Sequence, residues 1–120
     1  MHEHHLPHDH GYNSEEILTH LPKVEDFGTA SHIFALLGDA TRARIFWILC
    51  HCEECVINVS AMMNMSSPAV SHHLKLLRDA SLIVSRREGK EVYYKAADTE
   101  TARVLHDMIE KVLSITCPTK

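Results

Sequence analysis

The segment Cys50-His51-Cys52-Glu53-Glu54-Cys55 gathers three thiols and an imidazole within six residues. Thiolate sulfur and imidazole nitrogen are ligands for soft and borderline metals. The spacing therefore suits Zn(II), Cd(II), Pb(II) or Cu(I), and three sulfurs alone suit trigonal As(III). The same thiols also suit a reversible disulfide in a redox or persulfide switch, or plain packing in a core. Five more histidines, at positions 2, 4, 5, 8 and 10, lie in a polar stretch with Pro7 and Gly11 that lacks apolar periodicity. His4, His5 and His8 are candidate additional ligands there, with solvated histidines or loose metal scavenging as the alternative. Cys117, beside Pro118, reads as a terminal thiol.

A second segment carries a different chemistry. Ser66 and Ser67 suit a helix cap and Pro68 the first helical turn, after which Val70, Leu74 and Leu77 repeat at i, i+4 and i+7. Ser67, Ala69, Ser71, His72 and Lys75 lie mostly off that stripe and leave a small, polar face. A helix entering a DNA groove needs such a face, because its backbone must approach base edges and phosphates. An ordinary amphipathic helix with a solvated face is the alternative. His73 adjoins the stripe and reads as a partly buried imidazole.

The elements that must position these residues follow from periodicity. Residues 1–22 are expected to be a flexible His-rich tail with a short helix from Ser14 to His20, and residues 23–118 one folded domain. Val24, Phe27, Ala30, Phe34 and Leu37 mark a helix ending at Gly38. Asp39 caps the next, with Ile45, Phe46 and Leu49 inward. Val56, Val59 and Met63 mark a short helix, and Asn64 to Ser67 turn the chain into the candidate reading helix, giving a helix-turn-helix. Residues 82–87 and 91–96 flank Gly89 as a hairpin that reads as a wing. A final helix starts at Asp98 and carries Ala102, Leu105, Ile109 and Val112 as far as Pro118. It suits a dimer interface or packing within one subunit.

Charge is uneven. The chain of 120 residues has a formal net charge of −4, but residues 66–95 carry six Lys or Arg against three Asp or Glu, while residues 1–28 carry one against six. A basic reading surface on an acidic protein is compatible with a local phosphate footprint. No apolar run approaches the roughly 18 residues of a membrane span, and the start is hydrophilic, so the expectation is a cytoplasmic protein with reduced thiols. An enzyme is not expected. The H-x-E and later P-C-x-x-C order of zinc deaminases is missing, as are paired carboxylates, a nucleophile elbow and a phosphate-binding glycine loop. A metal-buffering protein without DNA binding would leave the helix-turn-helix and wing unused.

Gly38-Asp39-Ala40-Thr41-Arg42-Ala43-Arg44-Ile45, Val70-Ser71-His72-His73-Leu74-Lys75-Leu76-Leu77-Arg78 and Arg87-Glu88-Gly89-Lys90-Glu91-Val92-Tyr93-Tyr94 closely resemble segments of the ArsR/SmtB family of metal-responsive repressors, in the same order. The resemblance spans roughly residues 24–116. It implies a mainly α fold with a β-hairpin wing (α+β), a homodimeric winged helix-turn-helix bound to inverted-repeat operator DNA and released by a metal ion. Carried over residue by residue, it puts Ser67, Ala69, Val70, Ser71, His72 and Lys75 on the recognition helix, with Val70 shared between packing and reading. Arg86, Arg87 and Lys90 fall on the wing.

The resemblance also bears on the metal. Many relatives carry Glu-Leu-Cys-Val-Cys-Asp where this chain has Glu53-Glu54-Cys55-Val56-Ile57-Asn58, so one family thiol is kept and Ile57 replaces the other. Cys50 and Cys52 add thiols upstream, and relatives of this type often complete the site with N-terminal residues of the partner subunit. A second family site pairs Asp-x-His with two later ligands on the terminal helix. Here Asp98 fits, but Glu100, Lys111 and Ser114 stand at the other positions, so that site is expected to be absent. His106 and Glu110, at i and i+4, read as a surface hydrogen-bonded pair, the alternative being an altered site with Asp98.

Overall fold

The computed structural model describes residues 6–115, and the chain divides into two compact units between His32 and Ile33. In the first unit, α1 (Ser14–Thr19) follows Asn13, which occupies the cap position without a side-chain bond. The start of α2 (Val24–Leu37) lies in this unit and its last turn in the second.

The second unit holds the remaining elements: α3 (Ala40–His51), β1 (Glu54–Cys55), α4 (Val56–Met63), α5 (Ser67–Asp79), β2 (Ile83–Glu88), β3 (Glu91–Ala96) and α6 (Glu100–Leu113). Local chemistry explains most boundaries. The Asp39 carboxylate accepts from the Arg42 amide at 2.9 Å and starts α3. Ser66 accepts from the Ala69 amide at 3.3 Å and starts α5, with proline at the expected place. Asn64, at φ 54°, ends α4 and turns the chain toward α5. Gly89, at φ +63°, closes the β2–β3 hairpin.

Two details differ from the sequence reading. The last helix starts at Glu100 rather than at Asp98, capped by Thr99, whose hydroxyl accepts from the Ala102 amide. It stops at Leu113 instead of running toward Pro118, because Ser114 turns left-handed at φ 56° and the Ile115 amide returns to the Glu110 carbonyl at 3.0 Å. The structure also adds a strand. β1 pairs antiparallel with β3, Glu54 opposite Tyr94 and Cys55 opposite Tyr93, so the sheet runs β1-β3-β2. The hairpin is thereby anchored to the segment between α3 and α4.

The core is built from Ile45, Phe46 and Leu49 of α3, Val59 of α4, Val70, Leu74 and Leu77 of α5, Leu82, Ile83, Ala102 and Leu105. The helix bearing the reading face is thus fixed by its whole apolar stripe. No helix among the described residues is long and apolar enough to cross a membrane.

Candidate functional site

The exposed face of α5 presents Ser67, Ser71, His72 and Lys75, with Ala69 half-buried beside them. Val70 departs from the sequence reading. It is completely buried in the core, so its side chain packs and does not read. Ser60, buried on α4, donates its hydroxyl toward Ser67 Oγ at 3.3 Å and ties the two helices of the motif together. Lys75 pairs with Asp79 at 2.8 Å, but both ends are more than half exposed. Such an i,i+4 pair is worth only tenths of a kcal/mol, so Lys75 can exchange it for a phosphate.

His73 is structural, as its place beside the stripe suggested. Arg42 Nε donates to its Nδ1 at 3.2 Å, and Arg42 Nη1 donates to the Leu36 carbonyl at 3.1 Å. Arg42 thereby links the end of α2, the start of α3 and the middle of α5. Burial, and then the Arg42 charge, push the His73 imidazole below its usual range. A depressed folded value means that the neutral form is the one the fold accommodates. Its contribution to stability is full above the unfolded value of 6.5 and is lost as pH falls through the lower folded value. Urea unfolding of the wild-type chain is therefore expected to weaken from about pH 6.5 downward. His73→Asn, which keeps an acceptor near Nδ1, removes that increment, and an unchanged pH slope in the variant would contradict the assignment.

On the wing, Arg87 and Lys90 are exposed. Arg86 is engaged differently. Its Nε and Nη2 donate to the two oxygens of Glu53 at 2.9 and 2.8 Å, its Nη1 reaches Glu88 at 3.2 Å, and its guanidinium lies 4.9 Å from the centre of the Tyr93 ring. The hydrogen bonds from Arg86 hold the Glu53 carboxyl below its ordinary range. Arg86 therefore braces the wing against the segment preceding β1, and Arg87, Lys90 and Lys95 stand exposed on the hairpin.

The three thiols occupy different settings. Cys50 is half-buried on α3 and packs against the core. Cys52 caps the end of α3, and its thiol donates to the Ile48 carbonyl at 3.4 Å. Burial, and then the nearby Glu54 charge, push the Cys52 thiol up, which favours the protonated form over the metal-binding thiolate. Cys55 is buried on β1 at the cap position of α4. Among the described residues these thiols do not form a group of three metal-binding atoms within one chain. His8 is exposed with its ring stacked 5.8 Å from that of His10, while His4, His5 and Cys117 lie outside the described residues.

A different constellation does converge. His51, the last residue of α3, places Nε2 3.1 Å from Nε2 of His106 and 3.4 Å from Oε2 of Glu110, and His106 Nε2 lies 3.0 Å from that same oxygen. Side-chain exposures of 13%, 17% and 12% make this a sheltered pocket of donors rather than a surface pair. Trp47 Nε1 donates to Glu110 Oε2 at 3.1 Å, and its ring lies 4.3 Å from that of His51. Asp98, the partner weighed from sequence, instead pairs with Arg103, fully at the surface. The i,i+4 spacing of His106 and Glu110 was visible in the sequence, but no local pattern joins them to His51, 55 residues away from His106.

Beside these donors, α2, α3 and α6 line an open apolar groove of about 620 Å³ that includes Phe34, Leu37, Trp47, Met108, Val112 and Leu113. Phe34, Met108, Val112 and Leu113 are 43–75% exposed. Exposed apolar patches of this kind are unusual on small monomeric domains.

Comparison with known proteins agrees with the fold and with the family resemblance. Residues 39–85 match the family described as bacterial regulatory protein, arsR family. The transcriptional repressor SmtB homolog of Synechocystis is 32% identical over 99 residues, covering 80% of this chain and 75% of that protein. The arsenic resistance transcriptional regulator ArsR2 of Pseudomonas putida is 34% identical over 86 residues, covering 71% and 74%. The homodimeric winged helix-turn-helix domain Mb0332 of Mycobacterium bovis superposes with a TM-score of 0.69 at 24% identity, covering 77% of this chain and 84% of that one. These relatives are regulators rather than enzymes. Helix-turn-helix, wing and relatives together place the chain in the ArsR family of bacterial transcriptional regulators, which bind operator DNA.

Proposed function

We propose that the protein is a homodimeric repressor that holds an inverted-repeat operator and is released by a thiophilic or borderline metal ion: Zn(II), Cd(II) or Pb(II), with As(III) also suited to three thiols. The observation that carries this reading is the division of labour in the second unit. α5 turns Ser67, Ser71, His72 and Lys75 outward while its apolar stripe is locked in the core, and the groove between α2, α3 and α6 is left for a second copy. In such a dimer the two α5 helices would enter successive major grooves, with Arg87 and Lys90 on the flanking phosphates. The homodimeric state of Mb0332 and the arsenic resistance in the name of ArsR2 support the two halves of the reading. Cys50, Cys52 and Cys55 remain the thiol candidates because they flank the segment that leads into the helix-turn-helix. A repressor acting on operator DNA would work in the cytoplasm.

Fluorescence anisotropy on a duplex from the protein's own promoter tests this. One dimer per site is expected, with affinity lowered about 5- to 150-fold by saturating metal. Equal affinity for random duplex, or operator binding indifferent to every metal and altered only by oxidant or persulfide, would overturn the reading.

A further inference from the structure

We propose that His51, His106 and Glu110 form a binding site for a borderline divalent cation of the Zn(II), Co(II) and Ni(II) class, which clamps the end of α3 to α6. The inference rests on the repressor reading above and names a site for its effector that is separate from the thiols. It also differs from the Asp-x-His pattern, whose positions here hold Asp98 and Glu100.

The donor geometry carries the argument. A tetrahedral ion with bonds of about 2.0–2.1 Å holds its ligand atoms roughly 3.3–3.4 Å apart. His51 Nε2, His106 Nε2 and Glu110 Oε2 already stand 3.0–3.4 Å from one another. His106 Nδ1 is 3.0 Å from Asp107 Oδ1. In the tautomer whose Nδ1–H donates to that carboxylate, the Nε2 lone pair is left for the other two donors, as in the carboxylate–histidine–metal arrangement of many zinc sites. The Trp47 N–H donates to that same Oε2 of Glu110 at 3.1 Å and so holds the carboxylate in place. Two imidazoles and a carboxylate without sulfur select borderline divalent ions over As(III) or Pb(II), and three protein ligands leave a fourth position for water.

The position gives such an ion leverage. His51 ends α3 one residue before the Cys52 cap and three before β1, which anchors the wing. His106 and Glu110 lie on α6, whose Met108, Val112 and Leu113 line the apolar groove. A metal bond between them couples the groove-lining helix to the reading half of the domain.

The test uses the reduced full-length chain titrated with Co(II). Trp47 is the protein's single tryptophan and its ring lies against His51, so its fluorescence reports the site directly. Co(II) is expected to quench Trp47 and to give ligand-field absorption without a sulfur charge-transfer band. Glu110→Gln and His106→Gln should each weaken the quenching at least tenfold, whereas Cys50→Ser/Cys52→Ser/Cys55→Ser should retain it. Glu110→Gln keeps an acceptor for the Trp47 N–H, which guards against mere unfolding. Quenching unchanged in both site variants, or a sulfur band that vanishes with the cysteines, overturns the site. If operator release by Co(II) persists in Glu110→Gln and His106→Gln, the site proposal falls while the repressor reading stands. If Co(II) binds as described and operator affinity changes with none of Co(II), Zn(II), Cd(II), Pb(II) and As(III), the site stands and the metal-release reading falls.

Discussion

Phe46→Ala is expected to destabilise the fold by about 3–5 kcal/mol, a large part of the stability of a domain this size. Phe46 is completely buried and is the largest such side chain, on the same helix as Ile45 and Leu49, which with it form the floor on which α5 rests. Truncation removes the apolar transfer energy of the ring and leaves a cavity that close-packed neighbours fill only partly. Urea unfolding at fixed protein concentration should show a lower midpoint with an unchanged slope. A loss below about 1 kcal/mol would mean that the site collapses freely and that α5 is not held by this packing.

The second large effect concerns the wing. Replacing both Arg87 and Lys90 with alanine should reduce the dependence of operator affinity on salt. Each phosphate contact contributes about 0.9 to the logarithmic slope, so two charges on each of two wings amount to about 3–4. Affinity at moderate salt should fall on the order of a hundredfold, and nearly equally for specific and random duplexes, because phosphate contacts carry no sequence information. Arg86→Ala provides the contrast. With its guanidinium committed to Glu53 and Glu88, its loss should loosen the hairpin with little change in slope. A slope unaltered by the double variant would remove the wing from the interface.

Elements whose cause is local were legible in the sequence. The Asp39 and Ser66 caps, the Val70-Leu74-Leu77 stripe and the Gly89 turn set α3, α5 and the hairpin through interactions only a few residues apart. Features that depend on distant pairing were not. β1 is two residues long and exists only because Glu54 and Cys55 meet Tyr94 and Tyr93. Arg86 looked like a phosphate contact until the fold brought it to Glu53, 33 residues away. Val70 was assigned two roles because a helical repeat gives the direction of a side chain but not the depth of its burial. The thiol segment stands out by density, yet among the described residues the donors that converge are its one histidine and two residues on α6.

The central claim is that effector and operator act on one equilibrium of the same molecule, and reciprocal titration tests it most directly. Zn(II) affinity should be measured on the free protein and on the operator complex, alongside operator affinity with and without Zn(II). Thermodynamic linkage requires the two ratios to be equal, and the account predicts a shared factor of about 5 to 150, with DNA weakening metal binding. A metal affinity identical on free and operator-bound protein would contradict it.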